Sequence, residues 1–439
     1  MLSAKEQQQT LKKAIIGSLV GTTLEWYDFF LYGSAAALVF NKVFFPSFDP
    51  VTGTLLAFLT FAMGFVARPL GGVVAGHFGD RIGRKNILLF TISLMGASTV
   101  AIGLLPSYDA VGILAPILLI ATRMIQGLAL GGEWAGGALM IAERAPDARR
   151  GFLTSFVQVG VPIGTLLSTG VLFLMSAIQS NDQFIAWGWR VPFILSVVVV
   201  FIGIYIRRQV SESPAFLALE ESRTEKPKRP PIVEVFRKQS GEVFKIVGIR
   251  AGADIVYYTC VTFTLTYVAQ TLGLPREIGL IASLIAAAMQ IFTYPAFAAL
   301  SDKYGRRRIT IIGAVGCLAW IFAFFPMLDT KSSVFIVLGV VLGLFFHSAM
   351  YGVQASWICE LFDTEHRYSG ASIGYQLSGI VGGSLAPTIS LWLLSTFHST
   401  LSIQIYVGLG CLIVALTALA TRETRGTGIQ PVASVKEAE

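Results

Sequence analysis

The chain has 439 residues, 54% hydrophobic and 13% charged, with a mean hydropathy of +0.68 and a net charge of +7. Soluble domains carry about 25% charged residues, so this composition excludes a disordered chain, a coiled coil and an ordinary cytosolic enzyme. It points to a polytopic membrane protein, whose positive balance reports topology rather than affinity for nucleic acid.

The N-terminal MLSAKEQQQTLKK leads into an apolar run that contains Glu25 and Asp28 and ends without a small-residue cleavage site. This reads as a retained first helix, not a signal peptide. Runs of roughly 20 apolar residues, enough to cross a bilayer, then recur to the end of the chain. They predict twelve helices, at 14–40, 51–76, 87–106, 111–142, 152–178, 187–207, 243–271, 277–300, 309–328, 333–361, 368–396 and 400–421. Helices are required because backbone in lipid must satisfy its own hydrogen bonds. The short alternating strands of a barrel are absent from the pattern.

With twelve spans both termini share a side. Loops on that side hold 25 of the 33 Lys and Arg residues, against 3 opposite (Lys42, Arg276, Lys331). The positive-inside rule therefore predicts cytoplasmic termini in a bacterial-type inner membrane. Only 207–242 breaks the chain at length. Its RRQVSESPAF and EESRTEKPKRPP read as a cytoplasmic linker. It divides a six-helix bundle over 1–206 from another over 243–439, which includes a short tail. Cys260, Cys317, Cys359 and Cys411 all fall in apolar runs and suit packing better than a disulfide or a metal.

The two bundles repeat each other. GHFGDRIGRK follows the second span and ALSDKYGRRR the eighth; Asp80, Gly83 and Arg84 align with Asp302, Gly305 and Arg306 at an offset of 222. After spans four and ten, Glu143 and Arg150 match Glu360 and Arg367 at an offset of 217. Such duplication fits parallel halves with a site between them near the midplane.

The chain resembles the major facilitator superfamily in its Asp-x-x-Gly-Arg loop. It is more narrowly similar to the metabolite:proton symporter family in EWYDFFLYG (25–33), RPLGGVVAGHFGDRIGRK (68–85), RMIQGLALGGEWAGG (123–137), WGWRVPF (187–193) and YSGASIGYQ (368–376). Its wording is similar to shikimate, α-ketoglutarate and related organic-acid carriers, and proline/betaine carriers share the framework. The resemblance implies an all-α fold of twelve transmembrane helices in two six-helix bundles. It also implies that Gly76, Asp80, Gly83, Arg84, Glu143, Arg150, Asp302, Gly305, Arg306, Glu360 and Arg367 form a cytoplasmic gate. A carboxylate at a helix N-terminus with an Arg partner can lock a helix junction, although topology charge alone is the plainer reading.

Charge inside a span marks a pathway. Glu25, Asp28 and Tyr32 share one face of span one, and Arg123, Gln126 and Glu133 one sector of span four. Arg123 and Glu133 are too far apart along the helix to pair. Arg123 is therefore a clamp for a substrate carboxylate or a counter-charge to Glu25 or Asp28. In span seven Arg250 and Asp254, one turn apart, either neutralise each other or hold substrate and proton, beside Tyr257 and Tyr258. Glu25, Asp28, Glu133 and Asp254 are the candidate proton carriers. Further substrate-facing candidates are Gln158, Gln290, Tyr294, His347, Tyr351, Gln354, Tyr375 and Gln376, each also readable as hydrogen-bonded packing. Gly160 and Pro162 beside Gln158 predict a locally broken helix, and Arg190 marks the external end of span six. There is no phosphate-binding GxxxxGK[ST] loop and no catalytic or metal constellation in the sequence. The expectation is a monomeric symporter in lipid, without a cofactor, driven by the proton gradient and importing a small organic anion. A zwitterionic osmolyte carrier is the alternative. The lack of a long heptad tail after GTGIQPVASVKEAE weighs against osmosensing, and a drug exporter or a non-transporting sensor fits less well.

Overall fold

A computed structural model describes residues 4–82, 84–131, 133–209, 231–363 and 366–428, without the side chains of 4, 7, 73–88, 133, 206–209 and 231–233. The described residues are helical, with no strand. Twelve helical spans are α1 Ala4–Leu38, α2 Pro50–Ile82, α3 Arg84–Leu104, α4 Leu114–Ala142, α5 Arg150–Ile178, α6 Arg190–Gln209, α7 Glu234–Thr271, α8 Arg276–Tyr304, α9 Arg306–Asp329, α10 Ser333–Leu361, α11 Arg367–Phe397 and α12 Thr400–Ala420. Nine of them are long and apolar enough by themselves to cross a membrane. α6 qualifies together with the preceding Asn181–Gly188, from which it bends by 45°. α1 carries three lysines, Glu6, Glu25 and Asp28, and among the described residues the apolar part of α3 is the shorter Leu89–Leu104.

In the first half α1 packs on α5, α2 on α4 and α3 on α6; in the second, α7 packs on α11 and α12, α8 on α10, and α9 on α10 and α12. The halves meet along two seams, α5 with α8 and α2 with α11. By the sequence repeat α2 corresponds to α8 and α5 to α11. The two seams therefore exchange under the operation that relates the halves, as expected of parallel repeats about the membrane normal.

Small residues let backbones touch where charge must be brought to the centre. A Cβ on Gly71 would lie 1.9 Å from the Leu128 carbonyl, and one on Gly131 2.0 Å from the Gly72 nitrogen. α2 and α4 thus cross backbone to backbone beside Arg68 and Arg123. α4 is interrupted there, into Leu114–Ala129 and Glu133–Ala142.

The expected break in α5 is not found. Arg150–Ile178 is one helix through Pro162, and Gly160 instead admits α1, since a Cβ there would meet Thr22 at 2.7 Å. Irregular winding lies in α7, which has π-helical turns at Thr259–Phe263 and Tyr267–Thr271, and in α11, at Gly379–Ser384. Arg190 does mark a helix junction: its Nη1 donates to the carbonyls of Gly103 (3.0 Å) and Leu105 (2.6 Å), capping the end of α3.

Candidate functional site

Three arginines lie in the middle of the spans and are almost wholly buried: Arg68 (2% exposed), Arg123 (1%) and Arg250 (1%). Three carboxylates accompany them, Glu25, Asp28 and Asp254, all buried. The described ionisable centre is therefore balanced when every group is charged. A buried charge without a partner is very costly, so the pairing is informative. Arg68 Nη1 lies 3.1 Å from Glu25 Oε1, joining α2 to α1. Arg250 Nε lies 3.2 Å from Asp254 Oδ2, one turn away in α7. Arg123 takes neither carboxylate. It donates to Gln126 Oε1, and Gln126 Nε2 donates to Thr99 Oγ1 at 2.6 Å. Asp28 is within reach of the same threonine and of the Arg123 charge.

Aromatic rings supply the rest of the cradle. Arg68 and Arg123 each lie 4.6 Å from the centroid of Phe29. Arg123 is also 4.3 Å from Tyr32, and Arg250 3.3 Å from Tyr375. Cation–π contact offsets part of the loss of water, but it leaves N–H groups unused. Arg68 Nε and Nη2, Arg123 Nε and Nη2, and Arg250 Nη1 have no hydrogen-bond partner, nor do Asp28 Oδ2, Tyr258 Oη, Tyr294 Oη, His347 Nε2 and either amide atom of Gln354. Native interiors rarely leave such groups unsatisfied. These atoms are therefore the candidates to meet a polar ligand.

The other candidates divide in two. Tyr32 bonds Thr60 (2.6 Å), and Gln290 Nε2 meets the Leu344 carbonyl and His347 Nδ1, both at 3.3 Å. Tyr294 and His347 stack about Tyr351, whose hydroxyl meets that of Tyr375 at 3.2 Å. A second group joins the halves rather than facing the cradle. Gln158 Nε2 donates to the Tyr351 carbonyl (3.1 Å), and its repeat counterpart Gln376 donates to the Gly131 carbonyl (3.3 Å). Tyr257 bonds Thr165 across the seam at 3.0 Å, and Trp134 stacks on Tyr375 at 3.8 Å.

The halves meet at both faces. On the face carrying the termini, Asp302 accepts from the backbone nitrogens of Gly151 (2.8 Å) and Phe152 (2.9 Å), capping α5 from the other half. Arg306 pairs with Asp302 (2.7 Å) and Glu360 (3.1 Å), and Arg150 reaches Glu360 at 3.4 Å. Gly305 makes the α8–α9 turn at φ +102°, where a Cβ would lie 2.5 Å from Glu423, the residue that accepts from the nitrogens of Arg306 and Arg307. Arg150 bonds Asp147 and Glu360, while Glu143 is exposed. Arg367 donates to the Phe362 carbonyl at 3.2 Å. Gly83 lies outside the described residues, and Gly76, Asp80, Arg84 and Glu133 are described in backbone only. On the opposite face Arg276 donates to Ser176 (2.6 Å) and Asn181 (2.8 Å), and Gln270 to Thr54 (3.1 Å). Among the described residues, contacts between the halves thus bridge both faces.

Arg68, Thr99 and Phe29 were not singled out from sequence. Arg68 carried a usable signal, a charge deep in an apolar run, but it lies within RPLGG, which reads as framework. Arg276 looked like one of the few charges in the opposite loops.

Two bundles of six helices around a buried polar centre are the architecture of a secondary transporter. The profile described as "Sugar (and other) transporter" matches residues 13–230, and that of the "Major Facilitator Superfamily" matches 247–437. The Shikimate transporter of Escherichia coli K12 is 42% identical over 97% of this chain and 99% of its own length. The inner membrane metabolite transport protein YhjE of the same organism is 38% identical over 94% of each. The Proline/betaine transporter of E. coli K12 is 33% identical over 98% of this chain and 88% of its own. Among solved structures, the proton:xylose symporter XylE superposes with a TM-score of 0.75 at 19% identity, over 98% of this chain and 99% of that one, a likeness of fold. The chain belongs to the major facilitator superfamily and, within it, to the metabolite:proton symporter family; it is a transporter, not an enzyme.

Proposed function

We propose that this protein imports a small organic anion of the shikimate or dicarboxylate kind together with protons, with both termini in the cytoplasm of a bacterial inner membrane. The reading rests on one observation, a buried centre with three arginines, three carboxylates and surplus unbonded N–H groups on the arginines. The surplus donors suit a carboxylate, for which arginine is the preferred partner. Adding an anion to a balanced centre of low dielectric leaves an uncompensated charge, and one proton taken up with it restores the balance. Binding and protonation are thus linked without any cofactor, and the proton gradient supplies the drive. The relative named for shikimate supports the organic-acid class. Uptake into vesicles is expected to follow an imposed inward proton gradient and to collapse with a protonophore. Uptake unchanged by the protonophore overturns proton coupling.

The same balance also suits a zwitterion, which adds no net charge, and the proline/betaine relatives favour this second reading. Thermal stabilisation by a panel of shikimate, α-ketoglutarate, citrate, proline and glycine betaine separates the two. Stabilisation by an organic acid is expected; stabilisation by glycine betaine alone overturns the anion.

A further inference from the structure

The Glu25–Arg68 pair stands out from the other charges of the centre. It crosses between two helices, α1 and α2, whereas Arg250 and Asp254 neighbour each other in one helix. Glu25 occupies one edge of the Arg68 guanidinium, through Nη1, while Nε and Nη2 remain without hydrogen-bond partners although the side chain is 98% buried. Arg68 also shares the Phe29 ring with Arg123, whose own Nε and Nη2 are unbonded. A carboxylate arriving on that ring meets two half-satisfied guanidinium groups, one of which already holds a carboxylate supplied by the protein.

We infer that Glu25 is a stand-in for the carboxylate of the transported anion: the anion takes over Arg68, with Arg123 beside it across Phe29, and the displaced Glu25 carries the co-transported proton. This deepens the reading above and rests on it. The exchange keeps charge in balance. The Arg68–Glu25 contact breaks, an Arg68–ligand contact of the same kind forms, and a proton from external water neutralises the released Glu25 carboxylate. Without that proton a bare carboxylate would be stranded in a dry centre, at a cost of several kcal/mol. Arg68 from α2 and Tyr375 from α11 face Glu25, with Asp28 one turn on in α1; Arg123 from α4 and Asp254 and Tyr258 from α7 face its partner Arg68. Residues 151–178 of α5, the helix packed most closely on α1, contain no ionisable side chain. The ion pair with Arg68 couples Glu25 to whatever engages that guanidinium.

The test uses full-length protein in nanodiscs and a ligand from the panel above that stabilises the wild type. Affinity is read by intrinsic fluorescence and proton uptake by a pH dye in weak buffer. Wild type is expected to take up about one proton per carboxylate bound. Glu25→Gln, which removes the competitor, is expected to bind at least as tightly and to take up no proton. Arg68→Gln is expected to weaken binding about tenfold or more, the worth of a charged hydrogen bond, and Arg68→Lys, which keeps the charge but not the fork, to weaken it less. The double variant Glu25→Gln/Arg68→Gln keeps the test open should the single Arg68 change misfold, because it strands no charge. Its binding is expected to stay weak. Recovery of wild-type affinity in the double variant makes the pair structural and overturns the inference, as does undiminished proton uptake in Glu25→Gln. A wild type that binds none of the panel overturns the wider reading instead.

Discussion

Arg123 is held by an uncharged partner. Its bond to Gln126, and that of Gln126 to Thr99, fix a guanidinium against Phe29, Tyr32 and Phe61 without neutralising it. A positive charge positioned by an amide stays electrostatically available, which an ion pair would prevent. Replacing Gln126 by Leu strands one more buried N–H, costing about 1–3 kcal/mol; the expected result is a lower unfolding temperature for the purified protein, with ligand stabilisation reduced in parallel. Sequence reasoning found this arginine and left open whether it faced a substrate or one of the α1 acids. It could not settle the matter because Arg68, from another helix, takes Glu25. Which side chain reaches a given acid depends on how close two helices lie, and glycine-to-glycine contact between α2 and α4 brings Arg68 and Arg123 onto the same ring.

At the scale of elements, that crossing and the cap on α5 are the points most exposed to substitution. Gly71→Ala would drive a methyl group into the Leu128 carbonyl, a backbone atom that cannot swing aside. Overpacking of this kind typically costs 1–3 kcal/mol, so the variant should show a lower thermal midpoint by size-exclusion assay even where ligand is saturating. Asp302→Asn keeps the shape but removes the charge that caps α5 and pairs with Arg306. Charged hydrogen bonds contribute about 1.5–3 kcal/mol, enough to shift an open–closed ratio tenfold or more. Spin labels on the two halves at the terminal face should report a longer distance in Asp302→Asn and an unchanged one on the opposite face. The repeated loop motif revealed the position of this lock. Its partners were harder to foresee: the cap joins an acid of one half to backbone of the other, and no pattern within either half encodes it.

For the whole molecule, the two faces act as opposed latches around one centre. Arg276, bonded to Ser176 and Asn181, works against the Asp302–Arg306–Glu360 cluster. Arg276→Ala should favour opening on its own face, and combining it with Asp302→Asn should weaken both closures, so that each face reports a longer distance. Double-label distances on each face check this. The balanced charge of the centre has an electrical counterpart. One proton with one monocarboxylate moves no net charge, so a membrane potential without a pH difference should drive little uptake of a monoanion in potassium–valinomycin vesicles. Helix number and the charged positions were legible in the sequence because membrane burial makes each charge conspicuous. The bridging of both faces was not, since it depends on contacts between distant segments.

Each π-helical turn of α7 carries one residue more than regular winding requires; the first, Thr259–Phe263, lies beyond Arg250, Asp254 and Tyr258 and before Gln270, which sits in the second. Deleting a single residue from Thr259–Phe263 would let the helix rewind as α with everything downstream near its present face, because the wide turn already absorbs the extra residue. The bolt from Gln270 to Thr54 would then be kept while the wide turn beside Tyr258 closes. Frameshift-free deletions there offer a way to change the winding beside the centre and leave outer closure in place, a separation that side-chain substitution cannot make, because the surplus is held in the backbone and not in any one residue.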